Sequence, residues 1–86
     1  MKSFTSRRFR EAYAILPGHV REQARRAYQL FRENPFHPGL HFKKVDDEGN
    51  IYSARVGLGY RALGRFDGPD IVWFWIGPHA EYDRMI

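Results

Sequence analysis

The 86-residue chain carries 14 Lys and Arg against 10 Asp and Glu, a formal net charge of +4, and no cysteine. That length holds one hydrophobic core, hence a single domain over residues 1–86 built of two packed layers, and the missing thiols exclude a disulfide framework and thiolate metal sites. No apolar run nears the roughly 20 residues that span a bilayer, and the N-terminus has no apolar secretion signal, so a cytoplasmic location without a membrane partner is expected.

The charge is unevenly spread. Residues 1–32 hold Lys2 and seven arginines against Glu11 and Glu22, whereas residues 33–86 hold six basic and eight acidic side chains. Segregation of this kind points to a polyanion or an acidic protein as partner of the first third. The alternative is a solvated helix face.

Along the chain, Phe9, Ala12, Tyr13 and Leu16 follow the i, i+3, i+4, i+7 spacing of an amphipathic helix. Thr5 or Ser6 can cap it through a hydroxyl that accepts an orphan backbone N–H. Pro17-Gly18 breaks this helix and opens the next, whose stripe is Val20, Ala24, Ala27, Tyr28 and Phe31. Asn34-Pro35 ends the second helix, and Pro35–Gly39 reads as a surface connection. Four strands follow, His41–Val45, Ile51–Leu58, Tyr60–Phe66 and Ile71–Ile76, separated by Asp46–Asn50, Gly57-Leu58-Gly59 and Asp67–Asp70. Such short connections predict antiparallel pairing throughout. The expected fold is therefore α+β, an N-terminal helix hairpin packed on one face of a four-stranded antiparallel sheet.

The last strand is apolar on both sides. Strict alternation puts Val72, Phe74 and Ile76 on one face and Ile71, Trp73 and Trp75 on the other. Two helices cover only one face of a sheet. The second face is then filled by its own side chains, left open, or covered by a partner.

Arg55 and Arg61 lie six apart across the Gly57-Leu58-Gly59 turn, with Lys43 and Lys44 on the neighbouring strand. If the turn preserves face parity, Arg55, Arg61 and one lysine project from the side opposite the helices. Guanidinium forks match phosphate oxygens, and cations on rigid strands suit a phosphorane-like transition state. Exposed arginines paired with Asp or Glu are the plainer alternative. At the end of the last strand come His79, Glu81, Tyr82 and Asp83. Histidine exchanges protons near neutrality, a carboxylate can orient it, and a tyrosine can stack on a base or donate a proton. An acid, a base and cations together meet the needs of RNA cleavage without a metal or other cofactor. His37 and His41 have the i, i+4 spacing of a helical zinc pair, but Pro38 and Gly39 between them prevent a helix, so no metal site is expected. Neither a Gly-rich phosphate loop after a strand nor a Gly-x-Ser-x-Gly elbow occurs.

Two helices followed by this four-stranded meander resemble the RelE/ParE superfamily of toxins from bacterial type II toxin–antitoxin pairs. The carriers are Leu16-Pro17, Asn34-Pro35-Phe36-His37-Pro38-Gly39-Leu40, Phe42-Lys43-Lys44-Val45 and the arginine-bearing run Tyr52–Leu63. The resemblance implies a toxin that inhibits translation by cutting mRNA in the ribosomal A site, the ribose 2′-OH attacking the adjacent phosphate. On that basis Arg55 and Arg61 would neutralise the phosphate and Lys43 or Lys44 would add charge. His79 would be acid or base beside Glu81, and Tyr82 would stack on or protonate the leaving group. Arg21 and Arg25 on the basic helices would meet ribosomal RNA, and a cognate antitoxin would mask the open sheet face. Many members place an Arg soon after the last-strand glycine. Here Gly77-Pro78-His79-Ala80-Glu81-Tyr82 is similar instead to a branch ending in Gly-x-His-x-acid. The superfamily's usual N-terminal strand has only Lys2–Thr5 to form from, so a short extra strand is the most that is expected. Two other readings share these residues: a ParE-like toxin that inhibits DNA gyrase without catalysis, and a small non-catalytic RNA-binding module.

Overall fold

Ser6 starts the first helix. Its backbone is extended (φ −79°, ψ 166°), and its hydroxyl accepts the Phe9 N–H at 3.1 Å, which satisfies one of the donors a helix N-terminus leaves unpaired. The computed structural model describes residues 1–85, and in it this helix, α1, spans Arg7–Ala14. Pro17 interrupts the chain, and α2 runs over Gly18–Glu33 until Asn34-Pro35 ends it. The Arg21 guanidinium donates to the Leu16 carbonyl at 2.6 Å and so ties the end of α1 to the start of α2. A 3₁₀ turn over Pro38–Leu40 then anchors the connection, with Leu40 buried.

Five strands follow this scheme: β1 Ser3–Thr5, β2 Lys43–Asp46, β3 Ile51–Val56, β4 Tyr60–Asp67 and β5 Asp70–Pro78. Their order across the sheet is β1-β5-β4-β3-β2. The four expected strands pair antiparallel, and β1 adds to the edge in parallel with β5, which makes the sheet mixed. The short N-terminal strand is thus present. It is held by Ile71 N–H donating to the Lys2 carbonyl at 3.0 Å and by the Trp73 indole N–H donating to Ser3 Oγ at 2.9 Å. A third helix, α3, covers His79–Met85, where the sequence suggested only a tail.

The helix hairpin packs on one sheet face, burying Leu16, Val20 and Phe31 against Ala54, Val56, Ala62, Ile71, Trp73 and Ile76. Phe31 meets Trp73 edge-on with ring centroids 5.3 Å apart, a geometry favoured by the ring quadrupoles. On the other face a smaller cluster joins Leu63, Trp75 and Tyr82, flanked by Val45, Ile51 and Phe74. The second face is therefore filled partly by its own strands and partly by α3.

Strict alternation along β5 does not hold. Leu63 pairs with Trp75 but Gly64 pairs with Trp73, so Phe74 is an extra residue in a β-bulge. Ile71, Trp73 and Ile76 consequently face the helices, while Phe74 and Trp75 join the opposite cluster. Gly64 makes room for this. A Cβ there would lie 2.8 Å from both Ile71 Cδ1 and Trp73 Cε3, two core atoms with little freedom to move. The expected strand at His41–Val45 also starts later, at Lys43, because His41 adopts a left-handed conformation (φ 46°) that closes the 3₁₀ turn. The second strand ends at Val56, short of Leu58, where Gly57 turns with φ 59°.

Overpacking at Gly64 is testable by thermal denaturation. Gly64→Ala is expected to cost about 1–3 kcal/mol, each kcal/mol lowering Tm by roughly 4–8 °C in a domain of this size. Gly59, with no atom within 4 Å of a built Cβ, should tolerate Ala to within about 0.5 kcal/mol. Equal losses at the two positions would contradict the packing account of the bulge.

Candidate active site

Arg55 and Arg61 are direct partners across β3 and β4. Like charges at directly opposed strand positions repel, and the two side chains part accordingly. Arg55 leans toward the β2 side: its Nε donates to the Gly57 carbonyl at 2.9 Å, and its Nη1 lies 3.2 Å from His41 Nε2. Arg61 leans toward the β5 side, its guanidinium carbon 5.5 Å from the centre of the Tyr82 ring. Both face away from the helix hairpin, as their register with the buried Ala54 and Ala62 requires.

Arg61 is poorly satisfied at rest. Its Nε and Nη1 are buried without a hydrogen-bond partner among the described residues, and so is the hydroxyl of Ser53. Buried donors left unpaired cost about 1–3 kcal/mol each. Arg61 thus carries its charge at a cost in stability. Trp75 forms part of the floor. Its ring lies across Gly77, the cross-strand partner of Arg61, and a Cβ on Gly77 would come within 2.5 Å of Trp75 Cζ2.

The candidate acid–base groups lie on α3. His79 N–H donates to the Gly59 carbonyl at 2.8 Å, which fastens the start of α3 to the β3–β4 turn. One helical turn later Asp83 Oδ2 lies 3.1 Å from His79 Nδ1. Residues i, i+3 and i+4 share a helix face, so Tyr82 also lies beside the imidazole, with ring centroids 5.5 Å apart. Tyr82 is buried, whereas the His79 side chain is 44% exposed. The exposed His79–Asp83 pair contributes little stability. Its consequence is orientation: with Nδ1 held by a carboxylate, Nε2 remains to exchange a proton.

Not every candidate residue comes to this place. Glu81, two positions from His79, is exposed on another side of α3, and Asp83 is the carboxylate that meets the imidazole. Lys43 pairs with Ser53 and shares the arginine face, a diagonal neighbour of Arg55. Lys44 pairs with Tyr52 on the helix side and lies 3.7 Å from Asp47. Arg21 and Arg25 sit behind the sheet on α2, where Arg25 donates to the Tyr13 hydroxyl at 2.8 Å and pairs with Glu22 at 3.5 Å. Both tie the hairpin together, far from the arginine pair. A cavity of about 640 Å³ also lies on the helix side, floored by Phe31, Trp73 and Ile76 and rimmed by Arg10, Arg25 and Arg32. No His, Asp or Glu lines it.

Sequence reasoning overlooked Ser53 and gave His41 only a metal question. Ser53 has a signal: it alternates with Arg55 on the polar phase of β3. His41 has none, because a left-handed turn aims it at Arg55. Among the described residues no three His, Asp or Glu side chains gather as metal ligands, and no helix is long and apolar enough to cross a membrane.

Comparison with known proteins bears on this geometry. No curated protein sequence matches the chain. Among solved structures it is similar to a chain of the RelB–RelE antitoxin–toxin complex from Methanococcus jannaschii, with TM-score 0.75 and 21% identity over 96% of this chain and 99% of that one. It is also similar to the YoeB/ParE toxin from Agrobacterium tumefaciens, with TM-score 0.73 and 14% identity over 92% and 99%. A third likeness is to the RelBE2 toxin–antitoxin complex from Mycobacterium tuberculosis, with TM-score 0.69 and 21% identity over 90% and 95%. At these identities the likeness carries the fold. The sequence model of the ParE-like toxin domain matches residues 18–84, from the start of α2 into the last turn of α3. The chain accordingly belongs to the ParE-like toxin domain family, within the RelE/ParE superfamily that its sequence resembles.

Proposed function

We propose that this toxin inhibits translation by cutting mRNA on the ribosome, in a transesterification that uses neither metal nor cofactor. The observation that carries the reading is the opposed pair Arg55 and Arg61 on the open sheet face, one of them with buried donors unspent. A phosphodiester between the two guanidinium groups relieves their repulsion and gives Arg61 the counter-charge it lacks. The negative charge that grows on its oxygens during attack is then met by groups already in position. The ribose 2′-OH gives up its proton as it bonds to phosphorus, the bond from phosphorus to the 5′-oxygen breaks, and that oxygen takes a proton. A 2′,3′-cyclic phosphate and a 5′-OH remain. His79, held at Nδ1 by Asp83, serves one of these proton transfers at Nε2. Tyr82, buried between His79 and Arg61, is placed to serve the other. Lys43 adds charge along the RNA path.

Partner assignments follow the same reading. The similar chains from M. jannaschii, M. tuberculosis and Pyrococcus horikoshii are described in toxin–antitoxin complexes. A cognate antitoxin is therefore proposed for this chain, masking the arginine face. The basic outer side of the hairpin is proposed to meet ribosomal RNA, whose phosphates attract it in a salt-dependent way.

One observation favours a second reading, in which the toxin binds DNA gyrase without catalysis: the matching family is named for ParE. That mode has no use for a proton-transfer group paired with a carboxylate. Induced expression with separate labelling of protein and DNA synthesis distinguishes the two. The proposal predicts that protein synthesis stops first, and DNA synthesis stopping first would favour gyrase.

Two substitutions test the roles of the residues. His79→Ala should lower mRNA cleavage by about 10²–10⁴-fold and abolish growth arrest while leaving the circular dichroism spectrum unchanged. Full toxicity of that variant would remove His79 from the mechanism. Arg61→Met should separate function from stability. Losing the guanidinium is expected to lower cleavage by about 10²–10³-fold. Removing a partly buried, unpaired charge should leave Tm unchanged or raise it by the equivalent of about 1–2 kcal/mol. A large fall in Tm would mean that Arg61 is a structural residue.

A further inference from the structure

His41 stands outside the proton-transfer groups described above, yet its contacts are unusual for an exposed histidine. The 3₁₀ turn Pro38–Leu40 is closed at both ends by histidines. His37 Nδ1 accepts the Gly39 N–H at 3.1 Å, and His41, at φ 46° and ψ 41°, donates its backbone N–H to the Pro38 carbonyl at 3.3 Å. Leu40, 1% exposed, pins the turn to the core. The left-handed residue that follows swings its imidazole over the end of β3, where Nε2 lies 3.2 Å from Arg55 Nη1.

The protonation chemistry of this contact is constrained. An arginine is always charged and has only donors to offer. In a hydrogen bond between the two, Nε2 of His41 is the acceptor and the ring proton sits on Nδ1. Within four residues along the chain, the ionisable neighbours of His41 are His37, Lys43 and Lys44, none of which is an anion. With Gly57 accepting from Nε and His41 from Nη1, two of the five guanidinium N–H groups of Arg55 are committed. The rest are left for an anion, on a side chain already turned away from Arg61.

We propose that His41 is a positioning residue for phosphate recognition: through Nε2 it holds Arg55 turned away from Arg61, with its remaining guanidinium N–H groups free for an anion. This rests on the reading of the arginine face as a phosphodiester site. It adds a residue, and it gives His41 a role other than the metal ligation its spacing from His37 brings to mind. Ordering one rotamer-rich side chain in advance accounts for about a three- to tenfold gain in phosphate affinity.

The test uses the full chain labelled with nitrogen-15. In the wild type, the His41 ring should carry its proton on Nδ1, and the Arg55 guanidinium should show hindered rotation. Inorganic phosphate should shift the Arg55 side-chain resonances. Two variants separate hydrogen bond from turn. His41→Asn suits a left-handed turn but is too short to reach Arg55. It should free the guanidinium, weaken phosphate binding by about three- to tenfold, and raise KM for ribosome-bound mRNA by a similar factor with kcat little changed. His41→Gln supplies an acceptor at about the reach of Nε2 and should restore all three. A proton on Nε2 in the wild type, or wild-type phosphate affinity in His41→Asn, would overturn the proposal. If the wild type cleaves no RNA, the cleavage reading fails, while the ring tautomer and phosphate titration still decide the role of His41.

Discussion

Two arginines opposed across neighbouring strands are an unstable arrangement, and much of what surrounds them can be understood as its consequence. Their repulsion is reduced by sending one guanidinium toward β2 and the other toward α3. Each direction has its own support. On one side a left-handed histidine and a turn carbonyl hold Arg55. On the other the Tyr82 ring and the Trp75 floor receive Arg61, and the bulge at Phe74 and the absence of side chains at Gly64 and Gly77 bring that floor into place. The fold thus spends stability to keep positive charge together where an anion can use it.

The two faces of the sheet divide the work. Behind it, the hairpin supplies the larger core and a basic outer surface, and two of its arginines, Arg21 and Arg25, are engaged in holding α1 to α2. In front, the smaller cluster around Leu63, Trp75 and Tyr82 is just enough to seat α3. The helix that carries His79 rests on a small contact: one buried aromatic and one backbone hydrogen bond to the β3–β4 turn. That turn links Arg55, through Gly57, to His79, through Gly59. The proposed phosphate-binding and proton-transfer residues therefore share one short segment of backbone.

Much of the architecture was legible in the sequence. The helix stripes, the breaks at Pro17 and Pro35, and the antiparallel pairing of four strands follow from local periodicity and turn chemistry. The shared face of Arg55 and Arg61 follows from a turn that conserves parity. What escaped depends on long-range contacts. Strict alternation misplaced Trp75 and Ile76 because a bulge at Phe74 shifts the phase of β5, where Ile71 and Trp73 crowd over Gly64, residues close in space and separated along the chain. The short helix at His79–Met85 was missed although Pro78 precedes it, Glu81 lies in its first turn and Arg84 in its last. Seven residues are too few for propensity alone, and burial of Tyr82 supplies what is lacking. That helix also decides that Asp83 rather than Glu81 meets His79, since only the former lies one turn away.

The account turns on the chemistry of the cut. In a purified translation reaction, the ends of the mRNA fragments can be read directly by mass spectrometry. Attack by the 2′-OH, with Arg55 and Arg61 bearing the charge and His79 moving a proton, leaves a 2′,3′-cyclic phosphate on one fragment and a free 5′-OH on the next. Intact mRNA, or fragments that carry 5′-phosphates, would contradict it.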